Sequence, residues 1–436
     1  MLRIQGFRGG IHPSYSKLAS SRVIEKAKPP KVAVLPLRQY VGVPCTGLVN
    51  LGDHVKVGQK IADCEAPLSV PIHSSISGTI VELALKPTPT GEELQSIVVE
   101  SDEKEEWVEI SGLDVEKASR EEILAKIRES GIAGMGGAAF PTHVKLNPPK
   151  DKNVETLIIN GVECEPFITG DHRLMLEAGD KIISGAKIAA KVLDVRKIVI
   201  AVEDNKPDAA ENMRKLAGEG IEVRILKTKY PQGDERHLIK AILGREVPEG
   251  GLPFDVGAIL LNVGTAKAIH EAVYEGKPLV ERVVTVAGDV KEPKNMLTRI
   301  GTPFSQLVEE CGGPVGEIRK MVCGGPMMGI AQPADAPVVK GTTCVLVFNE
   351  ANAGEERELP CIRCARCVEA CPMSLMPTIL AHLSERGNVE GVLDYKIMSC
   401  DECGCCSYVC PSKIPLVQKI RLGKVLVRSK AKNVKK

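Results

Sequence analysis

Residues 154–166 read VETLIINGVECEP, a short β-branched run that gives way at Asn160 to a string of polar and acidic residues. VETLIIN (154–160) has the length and composition of a strand buried on both faces. Three more such runs follow at wide spacing: KIVIAVE (197–203), EVRILKT (222–228) and GAILLNV (257–263). Helical stretches separate them, and one has Pro207 near its start and Gly218 just past its end. Upstream, Ser119 followed by Glu122 is a capping-box signature, and REEILAKIRES continues at helical period to Gly131. From about 116 to 275 the chain therefore reads as an α/β domain with a largely parallel sheet, whose ligand belongs at the carboxyl ends of the strands.

Polar groups gather at those ends. The first run leads into Asn160, Gly161, Val162, Glu163, Cys164, Glu165 and Pro166; EVRILKT is followed by Tyr230, Pro231, Gln232, Gly233, Asp234 and Glu235; Asn262 ends GAILLNV. Each acid alone reads as a solvated loop residue. Three strand ends together suggest a hydroxyl-rich ligand such as a flavin ribityl chain or a nicotinamide ribose. The loop GIAGMGGAAFPT (131–142) follows a helix, whereas a dinucleotide fingerprint follows a strand, so that fingerprint fails its context. Gly134, Gly136 and Gly137 still let backbone N–H groups approach a phosphate, with Lys145 near in sequence; an ordinary surface turn is the other reading.

The 436 residues suffice for about three domains. A content of 43% hydrophobic and 26% charged residues is that of a globular protein, and 3% aromatic residues implies an aliphatic core. With 57 basic against 56 acidic side chains no global field attracts a polyanion, so nucleic acid is a poor partner. No run approaches the ~18–20 apolar residues that span a bilayer, and the start MLRIQGFRGG has no signal-peptide core, so a chain without a transmembrane segment of its own is expected.

Residues 1–115 carry Gly-punctuated short strands. Their phrases GDHVKVGQKIAD and PIHSSISGTIVEL resemble the two halves of the biotinyl/lipoyl hammerhead, with Ser69, Val70, Pro71, Ile72 and His73 where a carrier domain has its modified Lys, which points to a structural or docking module. Gly9, Gly10, Ile11, His12 and Pro13 form a distinctive start, in which His12 reads as a structural residue or a ligand. Residues 276–345, with VVTVAGDV and a short helix FSQLVEE, have the size of a β-grasp module. Residues 421–436 contain Arg421, Lys424, Arg428, Lys430, Lys432, Lys435 and Lys436 and no acid, and are expected to be a solvated, partly disordered tail.

Nine of the fifteen cysteines lie between Cys361 and Cys410. Cys361, Cys364, Cys367 and Cys371, then Pro372, follow C-x2-C-x2-C-x3-C; Cys400, Cys403, Cys406 and Cys410, then Pro411, repeat it. Cysteines three apart on a tight loop point three sulfurs at one centre, and the fourth thiolate comes from elsewhere. Following two-cluster ferredoxins, Cys361, Cys364, Cys367 and Cys410 hold one 4Fe-4S cluster, and Cys371, Cys400, Cys403 and Cys406 the other. Cys405 is left as a sulfur beside a cluster.

GMGGAAFPTHVK resembles the flavin loop GRGGAGFPTGxK of the NADH-oxidising, FMN-binding subunit of respiratory complex I; NGVECEP resembles its NADExEP, and YPQGDE its Y-x-x-G-E-E. Over essentially its full length the chain resembles the C subunits of Rnf electron transport complexes, which couple electron transfer between NADH and ferredoxin to sodium or proton movement. The resemblance implies FMN contacts from Gly134, Gly136, Gly137, Lys145, Asn160, Glu163, Gly233, Asp234, Glu235 and Asn262, with Phe140, Glu165 and Tyr230 near the nicotinamide nucleotide, NADH or NAD+. Gly161, Val162, His143 and Asp234 depart from the complex I pattern, and Gly264 stands where complex I has Glu. The implied architecture is multidomain α/β and α+β: a hammerhead-like domain (1–115), a Rossmann-like FMN- and NADH-binding domain (116–275), an SLBB-like β-grasp module (276–345), a helical two-cluster ferredoxin-like domain (346–420) and a basic tail (421–436). The implied partners are the other subunits of a membrane-bound complex, with ferredoxin reached indirectly, on the cytoplasmic face. A soluble cobalamin reductase with similar flavin and cluster domains, and a non-catalytic electron relay, are the alternative readings.

Overall fold

The computed structural model describes residues 6–89, 91–354 and 357–434. Its centre is a four-stranded, all-parallel sheet in the spatial order Ile221–Leu226, Lys197–Glu203, Thr156–Gly161, Ala258–Asn262. Numbered along the chain, that order is 3-2-1-4. The direction of winding therefore reverses between the first and last of these strands, and such a reversal opens a crevice at the strands' carboxyl ends. Asn160 and Asn262 face each other in register there.

Alternation along the strands covers both faces of the sheet. Leu157, Ile159, Ile198, Ile200, Ile259 and Leu261 pack with the helices Arg120–Glu129, Gly179–Leu193, Pro207–Ala217 and Val263–Tyr274. Ile158, Val199, Ala201, Ala258 and Leu260 pack with Glu235–Leu243. The helix starts follow local chemistry: Ser119 and Glu122 close a reciprocal capping box, Ser119 N–H donating to the Glu122 carboxylate at 2.8 Å. Gly218 ends the Pro207 helix at φ +67°.

The first core continues into the N-terminal barrel, where Leu35, Ile61, Ile72, Ile80, Ile97 and Val99 are buried. That barrel pairs a four-stranded antiparallel sheet (Val32–Pro36, Glu93–Ser101, Gly78–Pro87, His54–Val55) with a three-stranded one (Thr46–Gly47, Lys60–Asp63, Ile72–His73). Residues 6–26 are not part of it. Ile24–Lys26 adds in parallel to Lys294–Arg299, completing a six-stranded sheet that also contains Glu281–Gly288, Ile318–Cys323, Ile330–Ala331 and Cys344–Asn349. Cys344–Asn349 runs across the expected boundary at 345.

The expected disordered tail is corrected. Leu416–Val434 is one helix, because its apolar face packs on the cluster segment through Leu416, Val417 and Ile420. Lys424 is buried, its ammonium donating to the Cys400 carbonyl at 2.6 Å and pairing with Glu402 at 2.8 Å. Arg421 pairs with Glu402 at 3.0 Å. Lys435 and Lys436, and the side chain of Lys432, lie outside the described residues.

Glu203 ends its strand fully buried, bonded at 2.6 Å to Lys206, which is 3% exposed. Removing one partner of such a pair strands a buried charge, at a cost of about 3–5 kcal/mol. Glu203→Ala is therefore expected to lower the unfolding free energy of the full chain in urea by about that amount, and the double change Glu203→Leu/Lys206→Met to recover most of it.

Candidate functional site

The glycine loop lies against the crevice and is tied from three directions. It closes on itself, Gly134 N–H donating to the Phe140 carbonyl at 2.8 Å. Met135 N–H donates to Thr265 Oγ1 at 2.9 Å, joining it to the first turn of the helix Val263–Tyr274. From the neighbouring six-stranded sheet the buried Arg282 donates to the Met135 carbonyl at 3.0 Å and also to the Lys340 carbonyl. Buried Lys340 donates in turn to the carbonyls of Gly131 and Pro71, both at 2.7 Å. Burial lowers both cations, Arg282 to about 10 and Lys340 to about 7.

The crevice side of the loop is bare backbone. A Cβ on Gly136 would stand 3.1 Å from the Asn262 carboxamide nitrogen, and Gly137, at φ +67°, has open space around it. Asn262 caps the helix, accepting from Gly264 N–H at 2.8 Å, and donates to Asp171 at 2.6 Å. Asn160 donates to the Gly233 carbonyl at 2.9 Å, so two expected ligand loops meet at one side chain. Glu163 accepts from Asp171 N–H at 2.8 Å, and Lys145 pairs with Glu235 at 2.6 Å. Gln232 Nε2 is buried without a partner among the described residues. Unshielded backbone at Gly136 and Gly137, a helix N-terminus, the Lys145 ammonium and the second N–H of each carboxamide fit a phosphate and a polar, hydroxyl-bearing ligand such as a flavin.

Three expected ligand residues turn elsewhere. Glu165, expected by the nicotinamide nucleotide, accepts from Met327 and Met328 N–H at 3.2 and 2.9 Å, and burial pushes its carboxyl up to about 7. Tyr230, given the same role, is 1% exposed and donates its hydroxyl to the Cys403 carbonyl at 2.8 Å. Asp234 caps the helix Glu235–Leu243 and bonds His237 Nδ1 at 2.7 Å, next to Asp401 of the cluster segment. Phe140 is half-buried at the loop's closure.

Two residues that bear on the site carried no sequence signal. Lys17 drives its ammonium under the turn after the first strand, donating to the carbonyls of Glu163, Glu165 and Ile168 at 2.8, 2.8 and 2.6 Å, and burial lowers it. Asp171 follows ten residues after Gly161 with no motif; burial and then repulsion from Glu163 push it up to about 7.

In the cluster segment Cys371, Cys400, Cys403 and Cys406 line one apolar cavity, with Cys405 on the same wall. Burial first, then repulsion from Cys403, pushes Cys400 up to about 11 and Cys406 to about 12. Cys403 alone is shifted down, by the bond from the Cys405 thiol; the other three buried sulfurs become stable thiolates beside a cation, which suits iron. Cys367 packs with half-buried Cys410, while Cys361 and Cys364 lie on an exposed run.

Four families match in chain order: the RnfC barrel sandwich hybrid domain over residues 5–104, the Nuo51 FMN-binding domain over 127–271, the SLBB domain over 283–331 and the 4Fe-4S dicluster domain over 360–414. The C subunit of the proton-translocating ferredoxin:NAD(+) oxidoreductase complex of Clostridium ljungdahlii is 47% identical over 88% of this chain and 85% of its own. The C subunit of the Na(+)-translocating ferredoxin:NAD(+) oxidoreductase complex of Acetobacterium woodii is 42% identical over 96% of both chains. Its counterpart in the ion-translocating oxidoreductase complex of Rhodobacter capsulatus is 41% identical over 96% of this chain and 82% of its own. Among solved structures, an NAD+-reducing [NiFe]-hydrogenase in its H2-reduced state superposes with a TM-score of 0.51 at 18% identity, over 72% of this chain and 62% of that one, which is a likeness of fold. With an FMN-binding domain and a dicluster domain in the order its own residues imply, the chain belongs to the family of C subunits of Rnf-type, ion-translocating ferredoxin:NAD+ oxidoreductase complexes.

Proposed function

We propose that this chain exchanges hydride with NADH or NAD+ at an FMN in the crevice and passes single electrons through two 4Fe-4S clusters to other subunits of a membrane-bound complex, which reaches ferredoxin indirectly and couples the transfer to ion movement. No helix among the described residues is long and apolar enough to cross a membrane. As a subunit of a membrane-bound complex the chain would sit on its cytoplasmic face. The finer fold reading is a hammerhead-like barrel, a Rossmann-like nucleotide half, a β-grasp SLBB module and a ferredoxin-like end, supported by the 3-2-1-4 strand order and the four family matches.

One observation carries the proposal. The loop Tyr230–Glu235 touches the crevice at one end, through the Gly233 carbonyl on Asn160, and a cluster ligand at the other, through the Tyr230 hydroxyl on Cys403. Gly134, Gly136, Gly137, Lys145, Asn160, Glu163, Gly233, Glu235 and Asn262 would hold the FMN; Cys361, Cys364, Cys367 and Cys410 one cluster; Cys371, Cys400, Cys403 and Cys406 the other. Bound there, the flavin supplies two-electron hydride chemistry and the clusters one-electron steps. The protein's share is orientation. Bare backbone at the glycine loop would admit a phosphate closely, and Asn160 and Asn262 would offer the remaining hydrogen-bonding capacity of their carboxamides to the flavin. Half-buried Phe140 would lie near the nicotinamide nucleotide. Hydride transfer depends on that alignment more than on an acid or base.

The test is anaerobic reconstitution with iron and FMN, followed by NADH. Bleaching of the flavin and cluster bands together is expected; flavin and cluster bands that NADH leaves intact would sink the proposal. A second test uses Asp171. Below about pH 4 an Asp is protonated folded and unfolded alike, but with its folded value raised to about 7 the native state must hold a disfavoured charge at higher pH. Its stabilising contribution is present in acid and lost as pH rises through that window. Asp171→Asn lacks the titration, so in flavin-free protein its Tm should gain on the parent's by roughly 3–8 °C between about pH 5 and about pH 8.

A further inference from the structure

The start Gly9-Gly10-Ile11 has no part in the reading above, yet it lies where the crevice meets the second set of cysteines. Ile11 forms a two-bond antiparallel bridge with Tyr230: Ile11 N–H donates to the Tyr230 carbonyl at 2.9 Å and Tyr230 N–H to the Ile11 carbonyl at 3.0 Å. Gly10 N–H donates to the Ala370 carbonyl at 2.9 Å, one residue before Cys371. Both glycines are left-handed, at φ +67° and +74°. A Cβ on Gly9 would stand 2.6 Å from the Cys371 carbonyl oxygen, and one on Gly10 2.6 Å from that of Tyr230. Only residues without side chains let this strand slip between the loop after Ile221–Leu226 and the cluster segment. Ile11, Tyr230, Ala370, Cys403 and Cys405 then close one small buried core, against which Cys164 packs; Gly233 N–H donates to the Cys164 sulfur at 3.3 Å. Further on, Lys17 holds the turn after the first strand from beneath.

We propose that Gly9, Gly10 and Ile11, with Tyr230, are positioning residues that set the spacing between the flavin and the cluster of Cys371, Cys400, Cys403 and Cys406, making that cluster the first acceptor and the cluster of Cys361, Cys364, Cys367 and Cys410 the outer one. This rests on the flavin and cluster reading above. For each electron the cluster gains, one leaves the flavin, and no bond is made or broken at the joint. The Tyr230 O–H dipole, aimed at the carbonyl of a cluster ligand, stabilises the reduced, more negative cluster.

The experiment is stopped-flow NADH reduction of the reconstituted full chain, with EPR-monitored redox titration, on Gly9→Val, Tyr230→Phe and, as an exposed control on the same strand, His12→Ala. Gly9→Val is expected to bleach its flavin at the parental rate and its clusters at least tenfold more slowly. In Tyr230→Phe, which keeps the ring's volume, one cluster's midpoint potential should fall while the other's stays, and His12→Ala should match the parent. If Tyr230→Phe matches the parent in both potentials and in cluster bleaching, the proposal is overturned, whatever Gly9→Val does. A parent whose flavin NADH leaves unbleached overturns the functional reading, and this inference with it.

Discussion

Two neighbouring parallel strands end in register with Asn160 opposite Asn262, and the chain leaves them in opposite directions. That divergence is what the rest of the structure serves. It opens a crevice that no helix can cover, and exposes backbone and carboxamide groups at its floor. The glycine loop, the helix start at Val263 and the turn of Glu163 are arranged about it, and each is fastened by a bond from a distant part of the chain.

Those fastenings are largely buried cations on carbonyl oxygens. Lys17, Arg282 and Lys340 give up hydration to bind main-chain oxygens, and burial lowers the proton affinity of all three. A loop needing bare backbone towards its ligand cannot brace itself with side chains on that face, so the bracing comes from behind. The cluster segment has the converse problem: four sulfurs share a cavity, and burial opposes the ionisation of three of them, Cys371, Cys400 and Cys406. Iron would resolve it, and the match to the 4Fe-4S dicluster domain, residues 360–414, spans the eight cysteines proposed as ligands.

Local signals carried much of the fold. Three runs became Thr156–Gly161, Lys197–Glu203 and Ala258–Asn262 because each is short, apolar and bounded by breakers, so burial on both faces is its one good outcome; the more charged EVRILKT became the outer strand Ile221–Leu226, in which only Leu226 is buried. The Ser119 box and the Pro207–Gly218 pair held because caps are decided within a turn. The basic end misled: seven cations without an acid read as solvated, but the acid that pairs Arg421 and Lys424 is Glu402, back along the chain, and the helix's apolar stripe finds the cluster segment.

The site divides in the same way. Cysteine spacing, glycine spacing and the polar ends of the strands are properties of contiguous residues, and the sequence by itself determined which chemical groups stand there: paired sets of thiols, a loop of unshielded backbone and polar side chains at three strand ends. Where Tyr230, Glu165 and Asp234 point, what Lys17 and Asp171 do, and how the GGI start is used depend on which distant surface lies opposite each of them. A side chain's hydrogen-bond partner is chosen by packing, and packing between distant segments, as where Lys294 pairs with Glu25 across 269 positions, exists only once the tertiary structure has formed.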